Sequence, residues 1–294
     1  MSQEIDVMFT VDWVSATFTP EQAKRFGFKV GWRSFAAEVK GVPQRGYDNC
    51  EELETGLRVS WSSTRDEMGV YFSFSGQCLR WYETKSLGWH ELMFMIGKYG
   101  GRTSRVDLAF DVRGSRVSFP DFGLPKLLPN VGRGRNPKWL PVGNDEVGWT
   151  VYVGSRASEK YLRVYDKAKE RGDYVGDYIR IELETKGETG HAVGWNFSQK
   201  NKDECVAMAR TLVMGTANFD NAAWRAIVSG NTVEFSLPQG KDRDTYGWLV
   251  NVVAPSLAKE IAKRPNHDVL GDFWDALRRE LNQRGIVPYI EPEA

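Results

Sequence analysis

Histidine and cysteine are too few and too far apart in this sequence for most metal and thiol sites. The 294 residues include three histidines and three cysteines, with no HxH, HExxH or CxxC motif. These absences argue against a zinc site and against the two-histidine metal cluster of many DNA-nicking enzymes. We expect the isolated cysteines to be reduced thiols, as in a cytoplasmic protein.

Other functional classes lack their sequence signals as well. There is no GxxxxGK[ST] phosphate loop, no GxSxG motif and no evident Cys/His pairing. No segment approaches eighteen apolar residues, and acids stand in MSQEIDVMFTVDW where a signal peptide needs positive charge. The formal net charge is zero, which gives no overall attraction to nucleic acid or membrane. We therefore expect an intracellular protein without a membrane partner.

The distribution of patterns predicts an α+β fold with two regions. The chain is 41% hydrophobic and 27% charged, as in globular proteins, and is long enough to bury a sizeable core. Strand and helix patterns are mixed before residue 198, and helical patterns dominate afterwards. We predict an α+β domain over residues 1–198 and a helical C-terminal region over residues 199–294.

Three consecutive strands, expected at residues 148–153, 161–167 and 178–186, carry the most distinctive pattern. Because side chains alternate along a strand, each strand has two faces of different character. The second strand places on one face Tyr161, Arg163, Tyr165 and Lys167. The third strand places on one face Arg180, Glu182 and Glu184. The other faces are apolar, so we predict a half-buried sheet with a functional open face.

The first half of the chain adds further elements. Residues 7–18 predict a strand, and Thr19-Pro20 suits the start of a helix. YFSFSGQCLRWYE predicts a hairpin or meander in which Gly76 makes the turn. Residues 89–99 predict a buried helix. Residues 105–112 alternate as a strand, with one face formed by Arg105, Asp107, Ala109 and Asp111.

Four carboxylates lie on these strand faces, namely Asp107, Asp111, Glu182 and Glu184. Hard oxygen ligands suit Mg²⁺ or Mn²⁺, which would polarise a phosphodiester oxygen and offset charge in a transition state. The alternative is structural, because the same acids can form cross-strand ion pairs with Arg105, Arg163 and Arg180. The spacing of the residues leaves both interpretations open.

Tyr165 is the candidate nucleophile, since tyrosine can form a covalent intermediate. Lys167 lies on the same face, and a nearby cation would favour both the phenolate and the phosphate that it attacks. The alternative is that Tyr165 only packs in the sheet, as most strand tyrosines do. Tyr161 shares this face and suits packing or base stacking, although a two-tyrosine arrangement is also open.

Several segments resemble the Rep_trans group of rolling-circle replication initiators. The runs TVYVGSRASEKYLRVYDKAKERGD and YIRIELETKG are similar to the signature of this group. SRVDLAFDV, YFSFSGQCLRWYE and VDWVSATF resemble further landmarks, so the likeness covers about residues 9–190. Its most specific parts are RxYDK at residues 163–167 and RxExE at residues 180–184. The group includes plasmid initiators, filamentous-phage factors and relaxases of some integrative elements.

The resemblance implies an antiparallel-sheet palm related to the HUH nucleases, with acids in place of the histidine pair. Tyr165 would attack one DNA strand, become joined to its 5′-phosphate and leave a free 3′-hydroxyl for a polymerase. Lys167 and Arg163 would hold the scissile phosphate. The metal ligands would come from the four acids, with Asp107 and Glu182 foremost. The covalent link preserves the bond energy, so rejoining needs no ATP.

DNA contacts are expected from cations on this face and in a basic segment. Residues 113–138 hold six Lys or Arg and one acid, a pattern that suits a phosphate backbone or a solvated loop. The expected DNA-binding residues are Arg105, Arg133, Arg135, Lys138, Arg156, Lys160 and Arg180. Trp139 and Trp149 would stack on bases or belong to the core. The implied partners are double-stranded origin DNA, single-stranded DNA, a host helicase and a second copy in a homodimer, in a bacterial cytoplasm.

The leading hypothesis is thus a metal-dependent tyrosine nickase and ligase that starts rolling-circle replication of a phage or plasmid. A conjugative relaxase that nicks a transfer origin would use the same chemistry. A non-catalytic DNA-binding protein would use the sheet as a stacking platform, without a metal or a covalent product. In a general α+β interaction protein the acids would be ion pairs only.

Overall fold

The computed structural model describes most of the chain, namely residues 5–32, 41–43, 45–114, 139–172, 178–217, 219, 222–233, 254–264 and 268–283. The chain divides into two compact units, Met1–Pro238 and Gln239–Ala294. The predicted boundary between residues 198 and 199 falls inside the first of these units, and the division into an α+β domain and a helical C-terminal region stays a prediction.

The first unit is built on one antiparallel sheet of nine described strands in the order β2-β3-β4-β1-β5-β9-β8-β7-β6. The strands are β1 (Asp6–Phe18), β2 (Asn49–Glu52), β3 (Leu57–Trp61), β4 (Val70–Ser75), β5 (Arg102–Arg113), β6 (Trp139–Asn144), β7 (Gly148–Gly154), β8 (Lys160–Asp166) and β9 (Tyr178–Lys186). The sheet together with its helices confirms the predicted α+β class. The strands predicted near residues 148, 161 and 178 are β7, β8 and β9, which lie side by side.

Helices pack against this sheet and contribute to the hydrophobic core. Those described in the first unit are α1 (Pro20–Lys29), α2 (Gly76–Glu83), α3 (Trp89–Lys98), α4 (Lys167–Arg171), α5 (Gly187–Gln199), α6 (Lys202–Met214) and α7 (Ala222–Val228). Helix α5 packs on β5, and α3 packs on α5. The core-facing side chains of β5 are fully buried, as the alternation predicts: Val106, Leu108, Phe110 and Val112. Their burial leaves the polar side chains of β5 on the opposite face.

The segment after Gly76 is a helix, so the predicted hairpin is wrong. The Ser75 hydroxyl accepts a hydrogen bond from the Cys78 N–H and caps α2. Cys78, Leu79 and Tyr82 are buried at helical spacing, and the Tyr82 ring contacts Phe74 of β4. The apolar residues of this segment therefore have a helical period that the strand interpretation missed. Burial against the core decides in favour of the helix.

A bulge in β1 interrupts its alternation. The pairing of β1 with β5 shifts between Val11 and Trp13, so Asp12 is an extra residue in β1. Val11 and Val14 remain fully buried in the core, whereas Asp12 and Trp13 both line a cavity on the other face. A Cβ on Gly76 would lie 2.6 Å from the Asp12 carboxylate, so glycine leaves room for it. The bulge thus brings two adjacent side chains to the same face.

The second unit contains α8 (Ala254–Lys263) and α9 (Val269–Gln283). Helix α9 lies within the predicted helical C-terminal region, and its Leu270 and Trp274 are exposed. In the part of the chain that the structure describes, no helix has the length and apolar character of a membrane span.

The cap of α2 gives a direct test of this helix. We expect Ser75→Ala to lower the free energy of unfolding by about 1 kcal/mol, because the Cys78 N–H loses its acceptor. Ser75→Gly is the matched control and should cost only roughly a few tenths of a kcal/mol, since glycine is tolerated at this position. Urea unfolding measures both values. Equal losses in the two variants would contradict a capping role for Ser75.

Candidate active site

The open face of the sheet carries polar side chains in rows that run across the strands. One row, from β6 to β5, contains Val142, Thr150, Tyr165, Arg180 and Asp111. The next contains Leu140, Tyr152, Arg163, Glu182 and Ala109. A third contains Tyr161, Glu184, Asp107 and Trp13. The tyrosine strand and the two acidic strands are therefore neighbours, although they are separated in sequence.

Many residues of these rows form the floor of a cavity of about 770 Å³. Its lining includes most of the predicted site residues, namely Arg105, Asp107, Asp111, Arg163, Tyr165, Lys167, Arg180 and Glu182. Gln77 and Arg80 of α2, with Glu170 and Arg171 of α4, complete the wall. Most of the charged groups at this floor are shielded from solvent, so their pairing controls the chemistry of the cavity.

Tyr165, Glu182 and Arg163 form a chain of hydrogen bonds in this cavity. The Tyr165 hydroxyl donates to Glu182 Oε2 at 3.0 Å, and Arg163 donates to Glu182 Oε1. Glu182 is only 2% exposed, so its charge depends on the guanidinium of Arg163. The arrangement holds the Tyr165 hydroxyl against a carboxylate that can accept its proton.

The environment of Tyr165 favours its neutral form. Burial raises the pKa of Tyr165 well above its usual range, and the charge of Glu182 raises it further. Arg180 has the opposite, smaller effect on the same pKa. Lys167 lies 5.5 Å from the centre of the Tyr165 ring and forms an ion pair with Glu170. Burial and Glu182 thus outweigh the effect expected of a nearby cation, and attack by Tyr165 would require a proton acceptor.

A second tyrosine and carboxylate pair lies in the same cavity. The Tyr178 hydroxyl donates to Asp111 Oδ2 at 2.8 Å, and Arg180 donates to both oxygens of Asp111. Arg180 also lies 3.0 Å from Asp12, the bulge residue of β1. The sequence pattern missed Asp12 and Tyr178. Both lie within segments that carry the family resemblance, but only the strand register determines their partners.

Arg105 joins the other two acids. It donates to both oxygens of Asp107 at 2.8 and 2.6 Å and lies 2.9 Å from Glu184. Its guanidinium carbon is 4.8 Å from the centre of the Trp13 ring. Burial raises the pKa of Asp107, and the hydrogen bonds from Arg105 oppose that rise. The contact of Arg105 with Glu184 is a cross-strand ion pair of the structural alternative, whereas Arg105 and Asp107 lie on the same strand.

The expected DNA-binding cations lie in different environments. Arg180 is buried and Arg105 is half-buried, both in ion pairs. Arg156 is exposed, and its guanidinium carbon lies 5.9 Å from the centre of the Tyr161 ring. Lys160 begins β8 at the other end from Tyr165. Arg133, Arg135 and Lys138 lie outside the described residues, as does the basic segment from residue 115 to 138.

Trp139 and Trp149 were expected to stack on bases or to pack in the core. Trp149 packs partly against the core, and its indole N–H donates to Asp145 at 2.8 Å. Trp139 is partly exposed at the start of β6. By register, both residues lie on the side of the sheet opposite Tyr165. They therefore lie away from the cavity.

Comparison with known proteins identifies a family model, a relative and a solved structure that this chain resembles. The family model described as replication initiation factor, Rep_trans, matches residues 134–272. A Bacillus subtilis (strain 168) protein named as a candidate DNA relaxase, NicK, is 29% identical over 268 residues, which cover 79% of this chain and 74% of that protein. A rolling-circle replication initiator protein from Geobacillus stearothermophilus shares the fold, with a TM-score of 0.58 and 17% identity. That match covers 78% of this chain and 93% of the other. The resemblance read from the motifs is confirmed: the chain is similar to Rep_trans replication initiation factors.

Proposed function

We propose that this protein nicks one DNA strand at an origin through a covalent link to Tyr165, and later rejoins the strand, to start rolling-circle replication. The observation that carries the proposal is the hydrogen bond from the Tyr165 hydroxyl to the buried Glu182, in a cavity lined by arginines. A protonated phenol next to a carboxylate suits nucleophilic attack with general-base assistance.

The chemical step needs only groups on this face and a phosphodiester. The Tyr165 oxygen attacks the phosphorus while its proton passes to Glu182. A bond forms between the phosphorus and Tyr165, the bond to the 3′-oxygen breaks, and that oxygen takes a proton from solvent. Attack by a 3′-hydroxyl on the tyrosine phosphodiester is the reverse step and rejoins the strand. One phosphodiester is exchanged for another, so no nucleotide is consumed.

Cations beside Tyr165 would hold the phosphate. The Arg163 Nε is buried and, among the described residues, has no hydrogen-bond partner, so it can donate to a phosphate oxygen. Lys167 lies on the other side of Tyr165, within the ion pair with Glu170. Fixed donors aimed at a phosphoryl oxygen stabilise the charge that develops during transfer. Both residues keep the roles that the resemblance gives them.

The predicted Mg²⁺ or Mn²⁺ does not fit the four acids as they are arranged. Each of their eight oxygens has an arginine, lysine or tyrosine donor close by. Among the described residues, no three His, Cys, Asp or Glu side chains are grouped closely enough to hold a metal ion. A metal ion would have to displace an arginine from a carboxylate. The proposed attack of Tyr165 therefore includes no metal ion.

The DNA substrate and further partners follow from the same chemistry. The scissile strand must enter the cavity unpaired, so we expect action on a single-stranded segment of double-stranded origin DNA. The sequence has no nucleotide-binding loop, so unwinding would come from a separate host helicase. A homodimer and a bacterial cytoplasmic location remain proposals that rest on the resemblance.

A conjugative relaxase would use the same site on a transfer origin. The name of the Bacillus subtilis relative favours this second candidate. Supercoiled plasmids that carry either the replicon's own origin or a neighbouring transfer origin distinguish the two functions. Nicking of the transfer origin alone would assign the relaxase function.

Replacement of Tyr165 tests the nucleophile. We expect Tyr165→Phe to abolish the covalent adduct while DNA binding persists, because only the attacking oxygen is lost. The measurement incubates protein with supercoiled replicon DNA and a divalent salt, followed by a denaturing gel and peptide mapping. Tyr178→Phe is the matched control, since it also removes a hydroxyl bonded to a carboxylate in this cavity. An adduct that persists in Tyr165→Phe would make Tyr161 the next candidate.

Replacement of Glu182 tests the proton acceptor. We expect Glu182→Gln to slow adduct formation by roughly 10²- to 10⁴-fold, because the amide keeps its shape but cannot take the proton. Single-turnover adduct formation measures this rate, and binding to the same DNA should persist. Glu188→Gln, an exposed glutamate of α5, is the control for a general charge effect. An unchanged rate in Glu182→Gln would exclude Glu182 as the base.

Addition of a divalent ion tests the charge pairing. We expect the thermal unfolding midpoint of the DNA-free protein to stay constant when Mg²⁺ replaces NaCl at equal ionic strength. A preformed site with a Kd of about 1 mM would instead add about 1.4 kcal/mol at ~10 mM Mg²⁺. Arg105→Gln frees Asp107 and Glu184, so that variant should gain Mg²⁺-dependent stability. A Mg²⁺-dependent shift in the unchanged protein would contradict this pairing.

Adduct formation with and without EDTA then shows whether a divalent ion enters the site together with the DNA.

A further inference from the structure

We infer that Leu140, Val142 and Tyr152 form a non-ionic strip that binds unpaired DNA bases beside Tyr165. This base strip rests on the proposed function, because its ligand is the single-stranded segment that enters the cavity. The strip lies on β6 and β7, at one edge of the sheet, and contains no charged side chain. The strip would contact the bases of the DNA, whereas the cavity would contact its phosphates.

The strand register places the strip on the same face as Tyr165. Leu140 lies opposite Tyr152, and Val142 lies opposite Thr150. Thr150 in turn lies opposite Tyr165, and Tyr152 lies opposite Arg163. Neighbouring strands are about 4.8 Å apart, so the backbone of Val142 is about 10 Å from that of Tyr165. A DNA strand leaving the cavity across β7 would meet these side chains next.

The apolar side chains of the strip are exposed, so packing in the core does not explain why they are apolar. Leu140 is 59% exposed and Val142 is 47% exposed, whereas Val151 and Val153 on the other face of β7 are fully buried. Apolar side chains on β6 could as easily alternate toward the core side, where Pro141 lies. Apolar groups held together on the polar face of the sheet suit a ligand with apolar surfaces.

Tyr152 supplies an ordered aromatic ring in this strip. Its ring stacks on Tyr161 with a centroid distance of 5.7 Å and an interplanar angle of 11°. Tyr161 is buried and Tyr152 is half-buried at the cavity wall, so Tyr161 packs against one face of the Tyr152 ring. A ring fixed in this way can stack on a base without losing much conformational freedom on binding.

Unpaired DNA is the occupant that the surroundings favour. The strip adjoins a cavity rich in arginine. Arg156 lies near Tyr161, the ring on which Tyr152 of the strip stacks. Phosphates would follow these cations while bases turn toward the apolar side chains, as in general single-strand binding. Bases of a duplex are stacked inside it, so this surface can bind them only when they are unpaired.

Binding of a labelled oligothymidylate, followed by fluorescence anisotropy at several salt concentrations, tests the strip. All proteins carry Tyr165→Phe so that no strand is cut. We expect Tyr152→Ala to weaken binding by roughly 5- to 100-fold, the equivalent of one lost stacking contact. Tyr152→Phe should restore the affinity, since it keeps the ring. The slope of log affinity against log salt should stay the same, because no phosphate contact is lost.

The aliphatic part of the strip has its own matched control. The double variant Leu140→Ser/Val142→Ser should also weaken oligothymidylate binding, with an unchanged slope of log affinity against log salt. Phe94→Ser replaces a similarly exposed apolar residue of α3, on the helical side of the sheet, and should leave binding unchanged. Thermal unfolding of each variant confirms that the fold is kept.

Several results would overturn the base strip. One is an affinity within about twofold of the Tyr165→Phe parent in all strip variants, while the protein with Tyr165 forms its adduct; the proposed function would then stand alone. Another is a reduced salt slope, which would assign ionic contacts. A parent that sediments as a dimer, and a double variant that does not, would assign the strip to contact between copies along β6. Strip-dependent binding without an adduct in the protein with Tyr165 would instead reject the proposed function.

Discussion

The pairing of buried carboxylates with arginines on one face of the sheet is the constraint on which the rest of the cavity depends. A buried carboxylate without a partner is strongly disfavoured, and removal of one partner from such a pair typically costs about 3–5 kcal/mol. Here Asp107, Asp111 and Glu182 are each almost completely buried, and each is held by one arginine. The strand register fixes which arginine meets which acid. The face therefore behaves as one network rather than as separate surface charges.

This network also determines the chemistry available to Tyr165. Arg163 donates to one oxygen of Glu182 and Tyr165 donates to the other, while burial favours the neutral form of Tyr165. Burial and a neighbouring negative charge both raise the pKa of Tyr165, so a free phenolate is not the resting state. The same arginines that balance the acids would face the phosphate. Entry of DNA would therefore compete with the carboxylates for the guanidinium groups, which links substrate binding to the charge balance of the site.

Much of the site could be predicted from alternation along single strands. The pattern at residues 105–112 correctly separated Asp107 and Asp111 from the apolar side chains, and the patterns around Tyr165 and Glu182 did the same. The ion-pair alternative named the arginines that the structure places beside these acids. The helix after Gly76 was missed because YFSFSGQCLRWYE also suits two strands, and packing of Cys78, Leu79 and Tyr82 on the core decides between the two. Asp12 was missed because a bulge breaks the alternation that the prediction assumed.

The sequence by itself determined the α+β class, the faces of the central strands, the family resemblance and the candidate nucleophile, because these depend on local period and on motif residues close together in the chain. The tertiary structure decided that Tyr165 and Glu182 form a hydrogen bond, that Tyr178 joins Asp111, and that Arg105 lies between Asp107 and Glu184. These contacts depend on which strands are neighbours and in what register. That information lies in the packing of the whole sheet against its helices, and no single segment of the chain contains it.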